Sequence, residues 1–148
     1  MTTRTLALVA RYALGAGFLL FGLNGFFHFL PDPPPPPAAA LNFVTALFAT
    51  GYMIPLIKGT EVVAALLLLG NRFVPLALTL LAPVLVNIMA YHLILAPGGL
   101  VLPVLLLAAE LYLAWSYRDV WKPMLAARVE PTPAAASGTR PRAASAAA

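Results

Sequence analysis

An all-α membrane protein, a polytopic bundle of four transmembrane helices, is what this sequence predicts, and three observations predict it. The chain has 148 residues, of which 61% are hydrophobic and 9% charged, whereas soluble domains carry about a quarter charged residues. Four stretches, 6–30, 51–70, 73–96 and 100–118, are apolar enough and long enough to cross the roughly 30 Å hydrocarbon layer at about 1.5 Å per residue. Basic residues, finally, cluster at alternate chain ends and loops, as four spans require. The length suits one such domain, 1–125, and a tail, 126–148, with no room for a second core. The absence of cysteine excludes a disulfide framework, a thiol redox motif, iron–sulfur ligation and cysteine-containing zinc sites.

The first span, 6–30, is interrupted only by Arg11 near its start and by Asn24 and His28 near its end. Its apolar run exceeds the 7–15 residues of a signal-peptide core and further spans follow, so it reads as a retained helix. Residues 31–37 (PDPPPPP) cannot be helical; consecutive prolines hold a polyproline II rod, a stiff spacer at the membrane surface. Residues 38–50 are too short to span. Leu41, Val44 and Phe48 keep helical spacing among polar neighbours, which predicts a short interfacial helix in the first external loop.

The second span, 51–70, tolerates Pro55 in its first turn. After a tight turn at Asn71 and Arg72, the third, 73–96, carries Pro83 in mid-helix, where it should bend the rod and free a carbonyl. Pro97, Gly98 and Gly99 make the next turn. The fourth, 100–118, contains Glu110 and ends in Tyr112, Trp115 and Tyr117, with Trp121 beyond, as an aromatic belt would. The Ala/Pro/Ser/Thr/Arg composition of the tail predicts disorder.

Eight of the nine basic residues fall at the N-terminus, in the second loop at Arg72, or on the C-terminal flank. With four spans these all lie on one side, and the first and third loops have no Lys or Arg. The positive-inside rule therefore puts both termini in the cytoplasm. The net charge of +4 and the high pI thus report topology, not nucleic-acid binding.

The ninth basic residue, Lys58, stands three residues before Glu61 inside the second span, on the same helical face. Charge in hydrocarbon is costly by a few to more than ten kcal/mol, so the pair must neutralise each other and face protein or water. Counting from the helix ends at about 1.5 Å per residue puts Asn24, Lys58, Glu61, Asn87 and Glu110 in the outer half of the bilayer or at its midplane. That predicts one buried polar layer, with His28, His92 and Tyr91 near it. Small residues (Gly15, Gly22, Gly25, Ala64, Ala65) would let the helices close up, within one chain or between copies. Such a layer is either structural glue that sets helix register or a site for a small molecule or proton. Haem between His28 and His92 lacks a spacing signature, a metal site has less support still, and no serine stands near a base for nucleophilic catalysis.

The stretches GLNGFFHFLP, GYMIPLIKGTEVVAALLLLGNRFVPLAL and LLAPVLVNIMAYHLILAP resemble the DoxX family of small four-helix bacterial membrane proteins, over roughly residues 10–125. The resemblance implies a location in the bacterial inner membrane and an association with membrane oxidoreductases. It assigns no catalytic residue. With no cysteine, electrons would have to pass through quinone, a bound cofactor or a partner subunit. The expected function is an accessory, quinone-interacting component of a redox system, with no chemistry of its own. In it Lys58, Glu61, Glu110, Asn24 and Asn87 would form the ligand layer. A small-solute or proton transporter and a purely structural membrane partner are the alternatives.

Overall fold

The computed structural model describes residues 3–31 and 34–130. Every regular element in that range is helical: α1 (Thr3–Phe27), α2 (Ala38–Ala49), α3 (Met53–Leu69), α4 (Val74–Ile94), a 3-10 turn at Pro97–Gly99, α5 (Val101–Ser116) and the single turn α6 (Arg118–Trp121). Of the expected polyproline rod, 31–37, residues 32–33 lie outside the described residues, as does most of the expected disordered tail, 131–148.

α1 stops three residues earlier than the apolar run suggests, and Asn24 is the cause. Its backbone carbonyl accepts the His28 N–H at 2.9 Å, and its side-chain Oδ1 accepts the Leu30 N–H at 2.7 Å. Both carbonyls cap the helix end, so His28 falls outside the helix, in the left-handed region at φ +49°. Glycine is the usual residue there because it lacks the Cβ that strains the conformation. His28→Gly should therefore raise stability by about 0.5 kcal/mol, after the flexibility of glycine in the unfolded chain is discounted. A lowered thermal midpoint in detergent would show that the imidazole holds something at this end.

The short helix expected within residues 38–50 forms as α2, and it turns through 91° into α3. Thr50 makes the corner: its hydroxyl donates to the Leu47 carbonyl at 2.7 Å and accepts the Met53 N–H at 3.1 Å. Gly51 follows at φ +74°, a conformation few other residues take without strain. α3 and α4 join through a shorter turn, with Asn71 and Phe73 both left-handed and the Arg72 N–H returned to the Leu67 carbonyl at 3.0 Å. Pro83 lies inside α4, which runs as one helix past it; having no N–H, it leaves the Thr79 carbonyl without its helical donor. The fourth apolar stretch breaks at Tyr117, and α6 brings Trp121 back so that its indole N–H donates to the Ala114 carbonyl at 2.9 Å.

α1 packs against α3 and α5, and α4 packs against the same two, so these four helices close a ring. Its interior is Leu14 and Phe18 from α1, Ala64, Ala65 and Leu68 from α3, Leu78, Leu81 and Leu85 from α4, and Leu113 from α5. Gly15 and Gly22 are buried, and a side chain at either would run into Leu69 or Val62, so α1 and α3 touch almost backbone to backbone. Among the described residues two helices, α1 and α4, are long and apolar enough to cross a membrane, and α2 with α3 counts as a third only as one broken span. α5 has 16 residues, so the expected fourth full-length span is a shorter helix. Gly15 in the middle of α1 meets Leu69 at the end of α3, and the Tyr112 hydroxyl near the end of α5 donates to the Thr3 carbonyl. Arg4, Arg72, Arg118 and Lys122 therefore lie toward the same end of the molecule, with the α3–α4 turn set back from the start of α1.

Candidate functional site: a buried ion pair between two cavities

α3 carries Lys58 and Glu61 one turn apart, and the Lys58 Nζ donates to both carboxylate oxygens of Glu61, at 3.1 and 2.9 Å. The carboxylate is sealed, with Glu61 only 2% exposed, while Lys58 keeps 25% of its side chain accessible. Glycine on α1 makes room for both. A Cβ at Gly25 would overlap the Lys58 stem, and one at Gly22 would lie 2.8 Å from Val62 Cγ2 and 3.3 Å from Glu61 Cβ. The pair is thus wedged against the α1 backbone, which fixes its geometry; an ion pair free to splay would hold little structure.

A cavity of about 490 Å³ lies between α2, α3 and α4, with Lys58 and Glu61 on its wall. Phe43 from α2 meets Tyr91 of α4 with ring centroids 5.9 Å apart, so α2 reaches across this space. Asn87 stands one turn beyond Pro83 on the same wall. His92 closes the wall, its ring edge-on to Tyr91 at 5.0 Å and its Nδ1 2.9 Å from the Ile88 carbonyl. A second cavity, of about 300 Å³, lies on the other side, with apolar walls from α1 (Phe18, Phe21) and α5 (Leu102, Leu106). The two cavities share Lys58, Glu61, Ile88 and His92.

Of the residues picked out from sequence, Lys58, Glu61, Asn87, Tyr91 and His92 line the first cavity together. Three do not. Asn24 spends its side chain on the Leu30 N–H. His28 is exposed beyond the end of α1 and lines neither cavity, so it and His92 do not face one another across either. Glu110 lies at another depth. Gly22 of α1 meets Glu61, whereas Gly17 meets Leu106 of α5, so Glu110 falls level with about residue 13 of α1, roughly 13 Å along the bundle from Glu61. The single expected layer fails because depth was counted from helix ends taken as level. α3 begins beyond the end of α1, while α5 begins well inside it.

Glu110 instead lies near the level of Arg11, one of the N-terminal basic residues that the sequence counts toward the orientation of the first span. Both are sealed, at 5% and 4% exposure, yet no ion pair joins them. Glu110 Oε2 and Arg11 Nε have no hydrogen-bond partner, and the Arg11 guanidinium instead covers the Tyr12 ring at 4.8 Å. The available signal was Arg11 itself, an arginine several residues inside an apolar run. Among the described residues no three His, Asp or Glu side chains gather in a group that could hold a metal ion.

What the arrangement offers chemically is a neutral pair of fixed charges, one amide and one imidazole on the walls of otherwise apolar cavities. No family model, no curated protein and no solved structure matches this chain.

Proposed function

We propose that the chain is a DoxX-like protein of the bacterial inner membrane whose outer cavity binds the head group of a membrane quinone, as an accessory component of a redox system. In this reading α1, α3, α4 and α5 all cross the bilayer, α2 rests in the outer interface and both termini are cytoplasmic. At 17 and 16 residues, α3 and α5 reach about 25 Å and would be matched by a locally thinned bilayer. The gathering of basic residues at one end supports the orientation.

The observation that carries the ligand class is the cavity of about 490 Å³ whose polar groups are confined to Lys58, Glu61, Asn87 and the ring tips of Tyr91 and His92. Lys58 and Glu61 cancel in charge, so a neutral ligand fits better than an ion. A flat ring with oxygens at opposite edges would stack against Phe43 and Tyr91, take a hydrogen bond from Lys58 and reach the Asn87 amide. These residues bind and orient; none is placed to break a covalent bond.

Thermal unfolding of the detergent-solubilised protein tests this. A short-chain benzoquinone at about 100 times its Kd should stabilise the fold by about 2.7 kcal/mol, a rise of several degrees in the midpoint. Glu61→Gln, which loosens Lys58, should abolish the shift. An unchanged midpoint for both benzoquinone and naphthoquinone head groups would end the proposal. The second cavity, reaching the same ion pair from the opposite side, favours the alternative of a small-solute or proton transporter. That reading expects flux in proteoliposomes that Lys58→Ala removes.

A further inference from the structure

The larger cavity has two firm walls and one loose one. α3 and α4 pack against each other as part of the ring, and α2 packs on α3, but α2 and α4 do not pack in this way although both face the cavity. What bridges them is the tilted ring contact of Phe43 with Tyr91. Among the described residues no hydrogen bond or ion pair joins α2 to α4.

α2 is also held by one face only. Ala40, Phe43, Val44 and Leu47 fall on one side of the helix; Ala40 is sealed and the other three are partly buried. Asn42, Thr45 and Ala46, on its back, are exposed. An element with so few buried contacts, and no hydrogen bonds across its seam, opens at low free energy compared with the ring around it. The corner leaves it room to turn. Gly51 stands at φ +74°, and no atom lies within 4 Å of where its Cβ would be. One side-chain hydrogen bond spans the corner, from the Met53 N–H to the Thr50 hydroxyl.

Phe43, Val44, Leu47 and Phe48 are the share of the cavity wall that α2 supplies, opposite Lys58 and Asn87. We propose that α2 is a hinged lid over this cavity, turning about Thr50 and Gly51, with Phe43 against Tyr91 as its latch. Ligand enters and leaves through the seam between α2 and α4, while α1, α3, α4 and α5 stay packed. The lid serves any ligand of the cavity, so it does not depend on that ligand being a quinone.

The test needs no ligand. The chain has no cysteine and two lysines, Lys58 on the cavity wall and Lys122 with its side chain 75% exposed. Phe43→Cys combined with Tyr91→Cys, bridged by oxidation or by dibromobimane, ties the lid shut. Acylation of the detergent-solubilised full chain by the N-hydroxysuccinimide ester of benzoic acid, followed peptide by peptide by mass spectrometry, reports how readily a flat ring reaches Lys58. Lys122 is the internal reference. Lys58 should be acylated in the unbridged protein, and the bridge should slow it at least tenfold while leaving Lys122 unchanged. Thr50→Val keeps the side-chain shape, lies outside the cavity wall and removes the bond across the corner. It should speed acylation of Lys58 a few-fold, the worth of one hydrogen bond. A cysteine pair that neither reagent bridges would show that α2 and α4 do not meet at this latch, and would overturn the proposal. So would a Lys58 that stays unmodified in the unbridged protein, equal rates with and without the bridge, or an unchanged rate in Thr50→Val.

Discussion

Lys58→Met should cost the protein about 3 kcal/mol of stability, the usual consequence of leaving a sealed carboxylate without its cation. Glu61 is 2% exposed, its carboxylate is held by Lys58, and Gly22 of α1 packs close to its Cβ, so it has little room to turn toward another partner. The double variant Lys58→Met with Glu61→Leu removes both charges and should recover most of that loss, because an apolar pair of similar volume carries no desolvation penalty. Unfolding the three proteins along an SDS titration separates the cases. If the single substitution leaves the midpoint unchanged, the carboxylate is not confined as described. If the double variant is no better than the single, the pair contributes attraction beyond mutual neutralisation. Under the proposed quinone reading, binding should be lost in both, which keeps the stability effect and the ligand effect apart.

Gly22→Leu should be at least as damaging, by about 3 kcal/mol, since overpacking a tight contact usually costs 1–3 kcal/mol and this one has little room to yield. Even a single carbon at this position would lie 2.8 Å from Val62 Cγ2 and 3.3 Å from the Val62 backbone nitrogen, which cannot rotate away. Four carbons would have to push α3 off α1, carrying the ion pair with it. Gly59, on α3 itself, has open space beyond its Cα, so Gly59→Ala serves as the control and should not destabilise, gaining up to about 1 kcal/mol from the higher helix propensity of alanine. A Gly22→Leu protein with a wild-type midpoint would mean that the two helices do not need their close approach.

Much of the fold was readable before any coordinates. Long apolar runs separated by Pro, Gly and Asn-rich breaks give away helices and turns, because backbone in hydrocarbon has to bond to itself and only a helix does so within one segment. The i,i+3 spacing of Lys58 and Glu61 is local too, and the pair forms where that spacing puts it. The same local reading misplaced helix ends. Asn24 and His28 look like buried polar residues in an apolar run; one is a cap and the other sits beyond the helix.

The ends misled about depth as well. Counting residues inward from each end treats the helices as level, and nothing in a one-dimensional pattern says that α5 starts deep within the ring while α3 starts beyond it. Level counting sets Glu110 beside Glu61 for that reason, and it hides that Glu110 lies nearer the level of Arg11.

Composition and periodicity thus sufficed for an all-helical, membrane-type chain with one charge pair on one helical face, since those properties depend on neighbours within a turn or two. Which polar groups share a cavity depends on helix offsets, and those are set by where Gly22 and Gly25 let α1 and α3 close up and where the Pro97–Gly99 turn releases α5. Such offsets arise from contacts between residues far apart in the chain, so Asn87, Tyr91 and His92 join the ion pair, and Asn24 and Glu110 leave it, only once the helices are packed.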